Sequence, residues 1–494
     1  MPREDRRPGC RAGRVADWGV VPQMTVKATN RSEGRPQPPG TPGQARRDRT
    51  QSRKPLPANL ARVNDAARGS RQTQFTALLH HVDVGALERA FRRLRRKAAP
   101  GIDGVTVADY EDHLEANLQA LCARLHRNQY RPQPVLRTYI PKADGGRRPL
   151  GILALEDKIV QGAVAEVLSA VYEADFLDCS FGFRPGRSPH QALRTVHNAV
   201  MGERVGWIVE CDIRNFFGEL DQAWLLRMLA HRIADPRILR LIRLWLRAGV
   251  MENGVYAETV EGTPQGSGIS PLLANIYLHY VLDLWVQQWQ GRHATGRMRL
   301  VRFADDYLLT FERRADAEAM LAALPDRMAR FGLALHEDKT RLIEFGRFAE
   351  ANRRRRGAGR PETFDFLGFT HYCGRTRAGR FMVQRKTQRK RMIRKLTELR
   401  REMKRRMHHR LADQHQWLSA VLRGHYAYYG ITGNSRCLAT FQFQLQTWWR
   451  WVLRRRGQRP KLPWQRFYAI LKVYPLPPPR IVHDWRNPSM AALG

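Results

Sequence analysis

Apolar positions fall into two periods along most of the chain, and the switches between them outline its elements. From Val84 to Lys97, Leu87, Ala90, Phe91 and Leu94 form one stripe with arginines opposite, predicting a helix that Ala98-Ala99-Pro100-Gly101 ends. Helices are also predicted over 106–126 and 156–174, separated by the extended segment Val135 to Ile140 and the turn Asp144-Gly145-Gly146. A strand follows at 206–213, then helices at about 221–232 and 236–248. An apolar helix at 271–290, a hairpin at 298–312, a helix at 315–331 and strands around 333–345 and 363–372 complete this part. The alternation predicts an α+β fold with an antiparallel sheet at its centre. Beyond residue 384 the pattern becomes purely helical. Met392, Leu396, Leu399, Met403, Met407 and Leu411 recur every three or four residues, and aromatic-rich helices are expected near 414–429 and 436–456. Pro475-Leu476-Pro477-Pro478-Pro479 is expected to close the globular part.

Residues 1–70 are rich in Arg, Pro, Gly, Gln, Ser and Thr and offer little to bury, so they are expected to be a disordered basic extension, with Met24 an alternative initiator. The remaining length has room for two or three domains. Charge narrows the partner. Lys and Arg total 85 against 46 Asp and Glu, a formal net charge of +39, which points to a polyanion bound in a salt-dependent way. Residues 385–410 alone carry thirteen Lys or Arg against two Glu, so the helix there has one apolar and one basic face. Arg400, Arg401, Lys404 and Arg405 on that face are the candidate RNA contacts, against the alternative of a solvated face. The six cysteines are scattered without a Cys-x-x-Cys pair, so neither a disulfide framework nor a zinc site is expected. No run of some 18 apolar residues occurs, so neither a membrane span nor a signal peptide is expected, and a soluble cytoplasmic protein is.

The candidate chemistry centres on Phe303-Ala304-Asp305-Asp306, two adjacent acids at the tip of an apolar hairpin. Burying unpaired carboxylates is costly, and an all-oxygen site suits Mg²⁺. Asp212, near the end of the strand at 206–213 and on the face opposite Val209 and Cys211, supplies a third acid. Three acids can hold two metal ions and so activate a hydroxyl and stabilise a leaving oxygen on phosphate. An Asp-Asp pair alone is also an ordinary turn. A glycine-rich stretch from Gly262 to Ile269, directly before the apolar helix, is where backbone can approach a phosphate or base.

These segments, with others in order between about Leu78 and His483, resemble the reverse transcriptases encoded by bacterial group II introns, also called intron maturases. The motifs are Ala99-Pro100-Gly101-Ile102-Asp103-Gly104, Ile140-Pro141-Lys142 with Gly146-Arg147-Arg148-Pro149-Leu150-Gly151, and Phe181-Gly182-Phe183-Arg184-Pro185-Gly186-Arg187-Ser188. They continue through Asp212-Ile213-Arg214-Asn215-Phe216-Phe217, Pro264-Gln265-Gly266, Ile269-Ser270-Pro271-Leu272-Leu273-Ala274-Asn275, the Asp305-Asp306 tip, Asp338-Lys339-Thr340 and Phe366-Leu367-Gly368-Phe369. Phe303 stands where the family more often has Tyr, which removes a hydroxyl.

The resemblance implies a right-hand polymerase fold: fingers at 71–205, a palm with the catalytic acids at 206–383, a helical thumb or maturase domain at 384–474 and a tail at 475–494. It implies two Mg²⁺ ions on Asp212, Asp305, Asp306 and the carbonyl of Ile213. Deoxynucleoside triphosphates would meet Lys142 and Arg148, with Gln265 near the sugar and base. Phe217 would exclude a 2′-hydroxyl, unless Phe216 and Phe217 are both core rings. Lys339 is a candidate to protonate the pyrophosphate, or an ordinary phosphate contact. Leu367-Gly368 is expected to grip the primer end. With no cysteine after Cys437, no endonuclease domain is expected. The implied function is RNA-directed DNA synthesis together with binding of the chain's own intron RNA, splicing assistance and intron mobility. A splicing-only maturase and a reverse transcriptase turned to defence or diversity generation are the alternatives.

Overall fold

The computed structural model describes residues 56–141, 147–252, 255–258, 262, 268–456 and 462–485. Helices α1 (Ala58–Gly69), α2 (Val84–Arg92), α3 (Val107–Glu111) and α4 (Leu114–His126) precede a hairpin of β1 (Val135–Pro141) and β2 (Arg147–Ile152), and α5 (Leu155–Tyr172) follows. Apolar residues run all round α5, so it is buried along nearly its whole length and becomes the floor on which α1 and α2 pack. α6 (Pro189–Gly202) starts in a capping box between Ser188 and Gln191 with Pro189 in its first turn. Then come β3 (Trp207–Asp212), α7 (Phe216–Glu219), α8 (Gln222–Ala230), α9 (Pro236–Leu246), and the short β4 (Val250–Glu252) and β5 (Val255–Ala257). β4 runs parallel to β1, giving a sheet of order β2-β1-β4-β5.

The apolar run after residue 269 forms α10 (Ser270–Leu278) and α11 (Leu284–His293), joined by a π-helical turn at His279–Asp283. β6 (Met298–Phe303), β7 (Asp306–Phe311), α12 (Arg314–Ala329) and β8 (Arg341–Glu344) complete the central sheet, order β6-β7-β3-β8, with every pairing antiparallel. Both faces of this sheet are covered. Val209, Cys211 and Leu309 join one core with α8, α10 and α12, while Ile208, Val301, Leu308 and Ile343 join a second with α6. After α13 (Ala349–Arg355), the strands β9 (Phe364–Phe366), β10 (Phe369–Arg375) and β11 (Phe381–Thr387) form a third sheet that packs into that second core. Four helices close the fold: α14 (Arg389–Arg405), α15 (Leu411–Tyr429), α16 (Ser435–Arg454) and α17 (Trp464–Val473). Among the described residues no helix is long and apolar enough to cross a membrane.

Three expectations need correction. The basic extension is not disordered throughout to residue 70: Leu60, Val63 and Ala67 give α1 an apolar stripe, Asn64 donates to the Ala170 carbonyl at 2.7 Å, and buried Arg232 caps the helix end through the carbonyls of Ala67 and Ser70. Three apolar residues at helical spacing in a polar segment were enough to order it. Residues 1–55 lie outside the described residues. The helical region does not begin at 384, because Gln384 to Thr387 belong to β11 and pair with β10. Nor does the globular part end at the proline run. Leu476 is buried in the C-terminal core, the Tyr426 hydroxyl donates to the Pro477 carbonyl at 3.2 Å, and Ile431 bridges to His483. Prolines cannot donate to a ladder, yet their carbonyls still accept.

Candidate active site

Register brings the acids together. β3 and β7 are antiparallel neighbours with Asp212 opposite Asp306, so two carboxylates separated by 94 residues of sequence face each other at the end of the sheet. Asp305 occupies the two-residue turn between β6 and β7, beside Ala304, which takes a left-handed conformation at φ +58°. Residues other than glycine rarely hold that conformation, and the surroundings fix it here. Segment Cys179 to Phe181 runs beside β6, with Phe181 N–H donating to the Arg302 carbonyl and Arg302 N–H to the Cys179 carbonyl, each at 2.8 Å. This brings Gly182 against the turn, where a Cβ would lie 2.3 Å from the Ala304 nitrogen. Only glycine fits there.

Beneath the turn lies fully buried Arg302. Its guanidinium donates to Asp283 at 2.8 and 2.6 Å, to Asn275 Oδ1 at 2.9 Å and to the Ala304 carbonyl at 3.1 Å. Asn275 in turn donates to the Gly182 carbonyl at 2.7 Å. One network therefore ties α10, the π turn, the 179–182 segment and the acidic hairpin. Sequence reasoning did not assign Arg302, Asn275 or Asp283 to the site. The signal was available: each is a polar residue inside an otherwise apolar strand or helix.

Burial, then repulsion from Asp305 and Asp212, pushes the Asp306 carboxyl up to about 7, against the Leu367 N–H and Arg391, which favour its charged form. Lys339 reaches Asp212 Oδ2 at 2.5 Å, and the Asp212 carbonyl accepts from His336 N–H at 2.8 Å. Ile213 bridges Leu335 while the hydrogen bonds to that segment come from its neighbours, so its own carbonyl points away from it. Among the described residues no three His, Cys, Asp or Glu side chains form a finished metal cage. Two strand-paired acids and a turn acid lie at this end of the sheet, with Lys339 on Asp212.

Phe216 and Phe217 differ. Phe216 is buried, whereas Phe217 is partly buried on α7, packed against the same core with its ring edge-on to Phe216 at 5.3 Å. Gly262, at φ +77°, packs so closely on α7 that a Cβ would lie 2.5 Å from the Phe217 carbonyl, bringing one end of the glycine-rich stretch to this helix. Arg148 places its backbone in β2 opposite Ile140, while Lys142 and Gln265 lie outside the described residues. Leu367 and Gly368 form the β9–β10 turn, with φ +47° and +84°. Arg400, Arg401, Lys404 and Arg405 are all exposed on α14, far along the chain from the acids. Arg400 and Lys404 each lie 5.5 Å from the Trp451 ring centroid, and Arg405 pairs with Glu402 at 3.6 Å.

Comparison with known proteins places this geometry. The reverse transcriptase (RNA-dependent DNA polymerase) family profile matches residues 140–371, which include all three acids, Lys339 and the Leu367-Gly368 turn. Protein YkfC of Escherichia coli is 35% identical over 275 residues, 49% of this chain and 72% of that protein. The group II intron-encoded protein LtrA of Lactococcus lactis is 37% identical over 239 residues, 48% of this chain, and a 91 kDa protein in the cob intron of Schizosaccharomyces pombe is 40% identical over 224 residues, 44% of this chain. The matched part spans 39% of LtrA and 26% of the fission yeast protein. With its acids paired across the matched sheet and a relative matched over most of its own length, the chain belongs to the reverse transcriptase family, among the group II intron-encoded reverse transcriptases and maturases.

Proposed function

We propose that the chain copies RNA into DNA from a primer and also binds its own group II intron RNA, assisting splicing and supporting mobility by target-primed synthesis. The observation that carries the polymerase reading is the Asp212–Asp306 register with Asp305 at the adjoining turn. The central sheet then serves as the palm, the segments before it as fingers and α14 to α17 as the thumb or maturase domain. Asp212, Asp305, Asp306 and the Ile213 carbonyl would hold two Mg²⁺ ions, which supply charge neutralisation for the attacking and leaving oxygens. Lys339, which pairs with Asp212, is proposed to give a proton to departing pyrophosphate. Lys142 and Arg148 are proposed to bind the triphosphate and Gln265 the sugar and base. The partly buried Phe217 ring is proposed to exclude a 2′-hydroxyl. Cytoplasmic action on nucleoid DNA fits a chain of this charge.

The test is primer extension on an RNA template with deoxynucleotides and Mg²⁺, beside intron RNA binding. Asp305→Asn is expected to lower synthesis by at least about 10²-fold, the scale for removing one preorganised electrostatic group, with RNA affinity within about twofold. Near-parental synthesis would leave the splicing-only reading. Phe217→Val is expected to relax discrimination against ribonucleotides by about tenfold or more before it lowers deoxynucleotide incorporation. Unchanged discrimination would return Phe217 to the core.

A further inference from the structure

An exposed ring stands beside the acids on strained backbone. Phe183 is 54% exposed and sits at φ +56°, the left-handed region that a bulky residue rarely adopts. Both of its neighbours are fixed. The Gly182 carbonyl accepts from Asn275 at 2.7 Å, and a Cβ on Gly182 would fall 2.3 Å from the Ala304 nitrogen of the acidic turn. Arg184 is buried, donating to Glu173 at 3.0 Å and to the carbonyls of Leu177 and Ser180 at 2.8 Å each. Phe181, two residues earlier, lies in the core. The segment therefore holds the Phe183 ring outward, where it adds nothing to the core.

Register places that ring at the end of a row. Phe303 on β6 is opposite Asp306 on β7, and Asp306 is opposite Asp212 on β3. Directly opposed residues of antiparallel neighbours share a face with Cβ atoms about 4.5–5.5 Å apart, so the Phe303 ring and both carboxylates lie on one side of the sheet. The Phe183 ring extends the row, tilted by 42° with its centroid 6.2 Å from that of Phe303. Two rings thus adjoin the acids from the β6 side. The groups proposed to meet the incoming nucleotide's sugar and pyrophosphate gather at the other end: Phe217 is on α7, which follows β3, and Lys339 pairs with Asp212. Attacking and leaving oxygens lie roughly in line across the transferred phosphorus, which leaves the β6 end for the strand that carries the attacking hydroxyl.

We propose that Phe183, beside Phe303, is a binding residue for the 3′-terminal nucleotide of the primer, an aromatic platform against which its base packs. An aromatic face takes any base, as a strand end of varying sequence requires. Backbone strain under an exposed ring is kept for contact with a ligand, since the fold would be served as well by glycine. The proposal rests on the polymerase reading above for the identity of the strand, and its binding test does not need turnover.

The probe is an RNA template annealed to a DNA primer with a recessed 3′ end, bound to the full chain without nucleotide. Two further duplexes carry an abasic residue, one at the primer's 3′ end and one at the template position opposite. For the parent, the abasic primer end is expected to weaken binding about tenfold, the scale of one stacked base. Phe183→Ala should weaken binding of the intact duplex about tenfold and shrink the penalty of the abasic primer end to within about twofold, leaving the template penalty as in the parent. Phe183→Tyr, which keeps the ring, should restore both. In primer extension Phe183→Ala should raise KM for the primer–template about tenfold with kcat within about twofold. Phe183→Gly should bind as weakly as Phe183→Ala yet melt at the same temperature or higher, because glycine relieves the positive φ. Unchanged duplex affinity in Phe183→Ala, a primer-end penalty that survives the substitution, or a collapse of the template penalty instead would overturn the proposal. So would a melting midpoint several degrees below the parent's in both variants, which would make the ring part of the core. If the parent chain binds the duplex but fails to extend it, the polymerase reading falls, and the abasic comparison still decides whether Phe183 meets a 3′ end.

Discussion

Two regions of this molecule handle their excess of arginine in opposite ways. Around the central sheet three arginines are buried to 4% exposure or less and meet a carboxylate: Arg184 with Glu173, Arg232 with Asp175, and Arg302 with Asp283. In the C-terminal helices several cations that are exposed or only partly buried lie over aromatic faces, and some also pair with a glutamate, as Arg406 does with Glu402 at 2.8 Å. Arg400, Lys404 and Arg455 crowd Trp451, Arg406 covers Trp417, and Arg450 covers Trp464. A buried ion pair fixes direction, because a guanidinium fork meets a carboxylate in few geometries. A cation over a ring is held more weakly and keeps its outer side for another anion. The first arrangement suits a scaffold for acids, the second a surface for phosphates.

The largest expected effect breaks the first arrangement. Arg302→Met leaves Asp283 fully buried without its partner and should cost about 3–5 kcal/mol of unfolding free energy, measured by denaturant titration. The double variant Arg302→Met with Asp283→Leu should recover most of it, since two apolar residues leave no charge behind. A single-variant loss below about 1 kcal/mol would mean that the pair does not hold the hairpin.

Next in size is the helical surface. Changing Arg400, Arg401, Lys404 and Arg405 together to Gln should make the slope of log affinity against log salt shallower by about 3, because each phosphate no longer neutralised takes roughly 0.7–0.9 from it. Because Arg400 and Lys404 cover Trp451, a stability loss of about 1–2 kcal/mol should accompany it. An unchanged salt slope with that same loss would make the cations a cover for tryptophan and nothing more.

The smallest effect sharpens the boundary between the regions. Arg385 is buried to 1% exposure with Nε and Nη2 unpaired, has no carboxylate partner among the described residues, and lies 4.4 Å from the Trp485 ring centroid. Burial pushes it down to about 9. It follows the aromatic rule in a buried place. Arg385→Met should therefore change stability by less than about 1 kcal/mol or raise it, in contrast to Arg302→Met. A loss as large as that of Arg302→Met would show that Arg385 has a partner of equal strength.

Much of the site was legible in the sequence because its parts are local. The acidic hairpin, the strand ending at Asp212 and the first three helices of the C-terminal region follow from short-range periodicity, and the structure reproduces them within a few residues. α6, α17 and the third strand of the 364–387 sheet escaped that reading. So did α1, whose buried Leu60, Val63, Asn64 and Ala67 gain meaning only against α5.

By itself the sequence determined the types of element, the charge that selects a polyanion and the motifs that mark the family, since each depends on spacing of ten residues or fewer or on sums over the chain. Only the tertiary structure decided which distant residues meet. It set Asp212 opposite Asp306, placed Arg302 under the turn and Lys339 on Asp212, and tied Leu367 to Tyr428. Strand register and helix docking are chosen by burial of whole faces, and a one-residue slip of β3 would send Asp212 to the face of the sheet away from Asp306.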